Sequence, residues 1–208
     1  MDKSKIIILL VAITLVFVGL WYFVIHKENK IKNYPSSGTD IVAFGDSLIE
    51  GVGASSSQSN LISVLSKKIG RPIINLGVSG NTTSDGLDRI SDLDKYNPKV
   101  VILLLGGNDY LKKVPIDATF NNLEKIIKNI QDRGAVVVLL GIRGGIFNDK
   151  FESGFENLQE KYATVYVSDV LDGLFGNTQY MSDAVHPNNL GYEKIADRVY
   201  PVLSKVLR

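Results

Sequence analysis

Short apolar runs recur along most of the chain, and each is hydrophobic at nearly every position. A strand that exposes one face to water alternates apolar and polar residues, so continuous runs indicate strands buried on both faces. Strands of parallel sheets covered by helices are buried in this way. We predict strands at Ile41–Gly45, Pro72–Leu76, Val100–Leu105, Ala135–Leu140 and Thr164–Val167.

Longer amphipathic stretches separate these runs and predict helices. In the stretch Asp117–Arg133, apolar residues such as Phe120, Leu123 and Ile127 recur at helical spacing, and Gly134 follows as a stop signal. The alternation of strands with helices predicts right-handed crossovers and an α/β fold, with a five-stranded parallel sheet between two helical layers. Further helices are expected at Ser59–Ile69, Glu152–Tyr162 and Asn188–Leu207.

A different pattern precedes the alternating part, because no charged residue occurs from Ile6 to Ile25. At a helical rise of about 1.5 Å per residue, this run can cross a hydrocarbon core of roughly 30 Å. Trp21 and Tyr22 near its end suit the membrane interface. A cleaved signal peptide is the alternative, but its apolar region is usually shorter and ends at small residues, which this run lacks. We predict a retained transmembrane anchor.

The chain therefore divides into segments of different character. Residues 1–5 form a short tail, residues 6–25 the anchor and residues 26–40 a polar linker that contains Pro-Ser-Ser-Gly. Residues 41–208 have the length of one domain. Lysines are nearly balanced on the two sides of the apolar run, so charge alone does not choose its orientation.

The composition excludes several kinds of function. The chain has 23 basic and 22 acidic residues and a net charge of +1, so no basic surface for nucleic acid is expected. It has no cysteine, which excludes disulfides, thiolate nucleophiles and cysteine-bound metals. His26 and His186 are the two histidines, and His186 alone lies in the predicted domain, which argues against a histidine-rich metal site.

Small polar residues follow three of the predicted strands. The segments are GDS at 45–47, GVSGNTT at 77–83 and GGND at 106–109, while SDAVHP at 182–187 precedes the last helix. In a parallel α/β sheet the ligand site lies beyond the carboxyl ends of the strands, where the strand order reverses. We therefore expect these segments to share one pocket, although each alone is more often a turn or a helix cap.

The residue types in these segments are chemically complementary. The Ser47 hydroxyl is a poor nucleophile by itself and needs a base and oxyanion donors. His186 is the one imidazole available as that base, and Asp183 can orient it. The backbone N–H groups of Ser47 and Gly80 and the side-chain amide of Asn108 are candidate oxyanion donors. The combination predicts catalysis by Ser47, Asp183 and His186.

The same segments resemble, in order and spacing, the sequence blocks of the SGNH, or GDSL-type, hydrolases. The blocks are FGDSLIEGVG, NLGVSGNTTSDGLDR, LLLGGNDYL and DAVHPNNLGY, and the resemblance covers most of residues 41–208. It implies a flavodoxin-like three-layer α/β/α fold with strand order 2-1-3-4-5. The implied reaction is hydrolysis of carboxylic esters through an acyl-enzyme intermediate, without a cofactor. The resemblance assigns catalytic roles to Ser47, Asp183 and His186 and an oxyanion hole to Ser47, Gly80 and Asn108.

Within that family the chain looks most like the small lipolytic esterases of the thioesterase, lysophospholipase and arylesterase type. Their action outside the cytoplasm favours a domain on the extracytoplasmic side of the membrane. The loop GIRGGIFNDKF after the fourth strand departs from the family pattern, because it is rich in glycine and is expected to lack a bulky apolar wall. Small acyl esters, lysolipids and acetylated glycans therefore all remain possible substrates.

Alternative interpretations assign different functions to the same sequence. A deacetylase of cell-surface glycan would use the same catalytic residues and differ only in its pocket. A flavodoxin-like binding module would place a phosphate at Gly53–Ser59 and leave Asp183 and His186 without a role. A catalytically inactive scaffold is opposed by the complete set of catalytic residue types.

Overall fold

A computed structural model describes residues 2, 4, 13–18, 30–143 and 149–208 of the chain. It divides the chain into two compact units, Met1–Lys30 and Ile31–Arg208. In the first unit, residues 13–18 are helical. Among the residues that the structure describes, no helix is long and apolar enough to cross a membrane. Most of the predicted anchor at residues 6–25, and linker residues 26–29, lie outside the described residues.

The second unit alternates strands with helices, as the sequence predicts. Each predicted strand overlaps an observed one, with ends that differ by at most two residues. The strands are β1 (Asp40–Gly45), β2 (Ile74–Gly77), β3 (Pro98–Leu104), β4 (Val136–Leu140) and β5 (Val165–Val167). The helices are α1 (Ser47–Glu50), α2 (Leu61–Ile69), α3 (Thr83–Asp88), α4 (Gly107–Leu111), α5 (Ile116–Asp132), α6 (Asp149–Tyr162) and α7 (Asn189–Val206), with 3₁₀ turns at Ser57–Ser59 and Ile90–Lys95.

The strands form one parallel sheet in the order β2-β1-β3-β4-β5. Gly45 at the end of β1 pairs with Gly77 of β2 and with Leu104 of β3, so the carboxyl ends of these strands are level. The strand order reverses between β1 and β3, where ligand sites of such sheets lie. The predicted five-stranded parallel sheet and its strand order are confirmed.

Helical layers cover both faces of the sheet, which explains the continuous apolar runs. In β1, Ile41 and Ala43 pack with α2 and α7, whereas Val42 and Phe44 pack with α5 and α6 on the other face. Each of these side chains is buried. Because neither face of the strand meets water, neither face can tolerate alternating polar residues.

The short helices α1, α3 and α4 were not predicted from the pattern. Each has six residues or fewer, too few for an apolar periodicity to be recognised. A local signal does mark α3, because Thr82 and Asp85 form a reciprocal capping box. In the sequence, the hydroxyl residue Thr82 is followed three positions later by the acid Asp85. This spacing is a signal for the start of a helix.

The chain directly before β1, which the sequence analysis assigned to the linker, is bound to the amino edge of the sheet. The Asn33 side chain donates hydrogen bonds to the carbonyl oxygens of Gln131 (2.7 Å) and Ala135 (3.0 Å). Ser36 Oγ donates to the carbonyl oxygen of Gly134 (2.8 Å). These acceptors lie just before β4, so the segment lies at the edge opposite to the carboxyl ends of the strands.

Candidate active site

Ser47 directly follows β1 and is the first residue of α1. Asp46 caps this helix, since its Oδ1 accepts a hydrogen bond from the Leu48 N–H at 3.0 Å. The N–H groups of a first helical turn have no partner within the helix, so the backbone of Ser47 offers a donor there. The serine is 7% exposed and lines a cleft at the carboxyl edge of the sheet.

His186 connects Ser47 with Asp183. Its Nε2 lies 3.0 Å from Ser47 Oγ, and its Nδ1 lies 2.8 Å from Asp183 Oδ2. An ionised carboxylate only accepts hydrogen bonds, so the Nδ1–H of a neutral imidazole donates to Asp183. The lone pair of Nε2 then faces Ser47, whose hydroxyl can donate to it. This is the geometry of a nucleophile, its base and the group that orients the base.

Hydrogen bonds favour the ionised form of the Asp183 carboxylate, whose side chain is half exposed. Its Oδ1 accepts from the backbone N–H groups of Val185 and His186, each at 2.8 Å. Together with the His186 ring, these donors lower the pKa of Asp183 to about 2, with the Val185 N–H the largest contribution. Asp183 therefore stays negatively charged at neutral pH and can stabilise a protonated His186.

Gly80 and Asn108 lie after β2 and β3 and line the same cleft as Ser47 and His186. Gly80 has a φ of +78°, which favours glycine over any residue with a Cβ atom. Asn108 Nδ2 donates to the carbonyl oxygen of Asn81 at 2.9 Å and lies 3.5 Å from an Asp46 oxygen. Its second N–H is thus only weakly bonded, to Asp46, and Asn108 lines the cleft. The structure brings together every site residue that the sequence predicted.

The cleft has a volume of about 520 Å³ and a largely apolar wall. Ile142 belongs to the glycine-rich loop after β4, and Phe151 to α6 at the end of the quoted loop sequence. The expectation that this segment lacks a bulky apolar wall is therefore wrong for its described residues; residues 144–148 lie outside them. The apolar lining residues are Leu48, Tyr110, Leu111, Ile142, Phe151, Leu171, Phe175 and Val185.

Asp46 has an electrostatic environment that the sequence analysis did not anticipate. Its side chain is 2% exposed, and burial raises its pKa to about 7. The Leu48 N–H and the charge of His186 act in the opposite direction, and Asp109 adds to the increase. A buried carboxylate with a raised pKa thus directly precedes the nucleophile in the chain and lies 3.5 Å from Asn108 Nδ2.

Asn108 and Asp109 are adjacent but make different contacts. The buried Asp109 carboxylate accepts hydrogen bonds from the N–H (2.8 Å) and the hydroxyl (2.6 Å) of Thr83, the first residue of α3. Asp109 therefore holds α3 against α4, while Asn108 faces the cleft. This supports the assignment of the amide, and not of the neighbouring carboxylate, to the site.

Residues that the sequence analysis did not single out connect the loop after α1 with the start of α7. Asn189 accepts from the Ser55 N–H (2.9 Å) and donates to Ser55 Oγ (2.8 Å). Tyr192 Oη donates to the carbonyl oxygen of Val52 at 2.6 Å. Since α7 follows His186 directly, these contacts hold the base in register with the serine. Asn189 and Tyr192 lie within the quoted block DAVHPNNLGY, which was the available signal.

Gly53 allows the closest approach between these two segments. It has a φ of +92°, and a Cβ atom here would clash with the carbonyl oxygen of Pro187 and lie 3.1 Å from the Cβ of His186. The phosphate-loop alternative for Gly53–Ser59 has no support in these contacts. Ser55 is bonded to Asn189, and the following helix α2 is capped by the Asn60 side chain.

Comparisons with known proteins show the family of this chain. A family model described as the GDSL-like Lipase/Acylhydrolase family matches residues 43–194, a range that includes Ser47, Gly80, Asn108, Asp183 and His186. An arylesterase of Vibrio mimicus is 33% identical over 142 residues, which are 65% of this chain and 71% of the relative. Esterase TesA of Pseudomonas aeruginosa is 27% identical over 179 residues, which are 80% of this chain and 89% of the relative.

A solved structure has the fold of this chain and a sequence identity similar to that of the relatives above. The crystal structure of the psychrotrophic esterase EstA from Pseudoalteromonas sp., inhibited by monoethylphosphonate, matches with a TM-score of 0.73 and 26% identity. The match covers 81% of this chain and 98% of that one. Family match, relatives and fold agree with the resemblance inferred from the four sequence blocks. The chain belongs to the GDSL-like lipase/acylhydrolase family of SGNH hydrolases and is a carboxylic ester hydrolase.

Proposed function

We propose that Ser47 is the nucleophile of this esterase, with His186 as general base and Asp183 as the residue that orients and stabilises the base. The observation on which this proposal rests is the pair of contacts made by His186, at 3.0 Å to Ser47 Oγ and 2.8 Å to Asp183 Oδ2. The order of contacts matches the roles that a weak hydroxyl nucleophile requires.

The proposed reaction has two stages. In the first, Ser47 Oγ bonds to the acyl carbon while its proton passes to His186 Nε2, and Asp183 stabilises the resulting imidazolium. His186 then gives this proton to the departing alkoxide, and the acyl group remains on Ser47. In the second stage, a water molecule attacks the acyl carbon and loses a proton to His186. The bond between the acyl carbon and Ser47 Oγ then breaks, His186 returns the proton to Oγ, and the carboxylic acid is released.

We propose that the backbone N–H groups of Ser47 and Gly80 and the Asn108 amide stabilise the oxyanion of both tetrahedral intermediates. Support comes from their common position on the cleft wall and from the weakly bonded second N–H of Asn108. Fixed donors of this type act where negative charge develops, so they lower the barrier more than they strengthen substrate binding.

The shape of the cleft favours esters with an acyl chain longer than acetyl, such as lysolipids, acyl thioesters or acylated aromatic alcohols. An acetyl group would occupy a small part of about 520 Å³ and leave most of the apolar wall without contact. Since each buried CH₂ group contributes about 0.8 kcal/mol, a longer chain binds this wall more strongly. Deacetylation of surface glycan is the less favoured alternative for the same catalytic residues.

A labelling experiment tests the catalytic assignment. A fluorophosphonate probe should label the wild-type chain, and Ser47→Ala should abolish both labelling and hydrolysis. Ser79→Ala is the matched control, because Ser79 lines the same cleft and its side chain has no assigned role. Wild-type labelling of Ser47→Ala, or unchanged hydrolysis by His186→Ala, would show that the assignment is wrong.

An ester panel tests the substrate class. It runs from acetyl to long acyl esters and includes a lysophospholipid and an acetylated sugar. We expect kcat/KM to rise from acetyl to longer chains, because the additional methylene groups contact the apolar wall. Highest kcat/KM on the acetylated sugar would favour the deacetylase alternative instead.

We also propose that residues 6–25 anchor the chain in a membrane, with the hydrolase domain on the extracytoplasmic side. The support is the length of the uncharged run and the absence of small residues at its end. Membranes washed with alkaline carbonate should retain the full-length chain. Recovery of a shortened soluble chain that begins near Asn29 would indicate a cleaved signal peptide.

A further inference from the structure

Arg89 follows α3, and its side chain reaches back to the carboxyl edge of the sheet. Its guanidinium donates three hydrogen bonds: Nη2 to the carbonyl oxygen of Gly45 (2.7 Å), Nη1 to that of Leu76 (3.0 Å) and Nε to Asn81 Oδ1 (2.6 Å). One planar group therefore bonds to the end of β1, the end of β2 and the loop that follows β2.

These acceptors belong to the segments that present the proposed oxyanion donors. Gly45 lies two residues before Ser47, and Asn81 directly follows Gly80. The carbonyl oxygen of Asn81 also accepts the hydrogen bond from Asn108 Nδ2 at 2.9 Å. The guanidinium is thus bonded directly to the segments that contain Ser47 and Gly80. Through Asn81 it is also connected to Asn108.

The surroundings of Arg89 favour a role that depends on geometry more than on charge. Its side chain is 18% exposed, and its guanidinium carbon lies 4.1 Å from the centroid of the Phe44 ring. Burial lowers its pKa, and its ion pair with Asp92 is long, at 3.9 Å. Its three short bonds all go to uncharged oxygens. A lysine keeps the charge but has a single nitrogen and cannot reproduce this planar fork.

We propose that Arg89 is a positioning residue that holds the Ser47 and Gly80 segments at the spacing that oxyanion stabilisation requires. This inference rests on the proposed roles of Ser47, Gly80 and Asn108. Donors must lie within about 0.5 Å of their productive positions to act fully. Two other side-chain contacts of the loop after β2, between Glu50 and the Ser79 N–H and between Lys112 and the Gly80 carbonyl oxygen, are exposed. Without the guanidinium, Gly80 could move relative to Ser47 without disrupting the hydrophobic core below.

Arg89→Lys is the test, and Arg133→Lys is its matched control. Arg133 also follows a helix, α5, and its side chain is 22% exposed. It donates to Asp94 Oδ1 at 2.6 Å and to the carbonyl oxygen of Asn129 at 2.7 Å, near the amino edge of the sheet. Both substitutions should lower the thermal midpoint, but only Arg89→Lys should change the geometry of the site.

The expected result is a split between kcat and KM. Arg89→Lys should lower kcat about 10–100-fold, because small displacements of catalytic groups have effects of this size, while KM changes little. The rate of fluorophosphonate labelling should fall by a similar factor. Arg133→Lys should leave kcat and the labelling rate near their wild-type values at a comparable loss of thermal stability.

Further variants keep each outcome decisive. If Arg89→Lys does not fold, Asn81→Ala removes one acceptor and retains the guanidinium, and it should lower kcat about 3–10-fold. If the variant that folds keeps the kcat of the wild type, Arg89 does not have the proposed role. A fall in kcat no larger than that of Arg133→Lys would lead to the same conclusion. Ser47→Ala is assayed alongside. Full activity in that variant would instead overturn the proposed function itself.

Discussion

The two edges of the sheet are built from the same strands but use their polar groups differently. At the amino edge, the side chains of Asn33 and Ser36 donate to backbone carbonyl oxygens and close the turns before β4. At the carboxyl edge, His186 is hydrogen-bonded to both Ser47 and Asp183, and Ser47 and His186 line a cleft. Asn33 and Ser36 thus support the backbone at the amino edge, whereas Ser47 and His186 at the carboxyl edge remain available for chemistry.

Two carboxylates at the carboxyl edge show how environment separates residues of one type. Asp46 is buried with one backbone donor, and burial raises its pKa to about 7. Asp183 is half exposed and accepts three hydrogen bonds, which lower its pKa to about 2. Hydration and hydrogen-bond donors, not residue type, decide which carboxylate is charged at a given pH.

After Ser47→Ala, the largest expected effect is that of Asp183→Asn. An amide in this position no longer stabilises the imidazolium and favours the wrong tautomer of His186, so kcat should fall by about 10⁴. The measurement is steady-state hydrolysis together with the thermal midpoint. Asp172→Asn serves as the control, because Asp172 lines the same cleft without contacting His186. A fall in kcat of less than about tenfold would contradict the orienting role.

Neighbouring substitutions should separate a catalytic from a structural role. Asn108→Ala should lower kcat about 10²–10³-fold, or roughly 3–4 kcal/mol, with little change in KM, because the amide acts mainly in the transition state. Asp109→Asn should instead lower the thermal midpoint, since it weakens the buried bonds to Thr83. A kcat within about threefold of wild type for Asn108→Ala would exclude it as an oxyanion donor.

Asp46→Asn should change how folding stability depends on pH. The folded state holds a proton on Asp46 up to about pH 7, whereas the unfolded value is 3.8. The free energy of unfolding therefore decreases as pH rises between these values, by a few kcal/mol at most, and levels off above them. The neutral amide lacks this dependence. Urea unfolding is measured at intervals of about one pH unit from pH 4.5 to 8.5. The plot of the free energy of unfolding against pH should be flatter for Asp46→Asn than for the wild type.

Identical curves for the two proteins would show that Asp46 does not titrate in this range. The comparison uses the difference between the curves, because titrating groups far from Asp46 contribute equally to both. The difference reports Asp46 together with His186 and Asp109, whose charges act on it.

The smallest effect is expected at the amino edge. Asn33→Ala removes the hydrogen bonds to Gln131 and Ala135 and should lower the free energy of unfolding by about 1–3 kcal/mol, with kcat unchanged. Asn33 has a φ of +64°, so Asn33→Gly separates backbone strain from loss of the amide. A marked loss of kcat in both variants would show that the two edges are not independent.

The core of the fold was predictable because burial on both faces leaves a strong pattern. β3 and β4 consist almost entirely of Val, Ile and Leu, and both were located to within two residues. The short helices were not predictable in this way. α1 and α4 depend on contacts made after folding, although the capping box of α3 was present in the local sequence.

The site was predictable in its residue types but not in its supports. Ser47, Asp183 and His186 follow from the complementary chemistry of the motifs and from the single histidine of the domain. Tyr192 and Val52 lie 140 positions apart, and no local pattern connects them. Their hydrogen bond depends on the packing of α7 beside the loop after α1.

The sequence by itself determined the parallel sheet, the edge at which the site lies and the chemical groups present there, because hydrophobic periodicity and side-chain chemistry are local properties. Tertiary structure alone decided which carboxylate is protonated, which side chains wall the cleft and how Arg89 joins the ends of β1 and β2. These properties depend on burial and on distances between segments remote in the chain, and neither is set until the helices pack on the sheet.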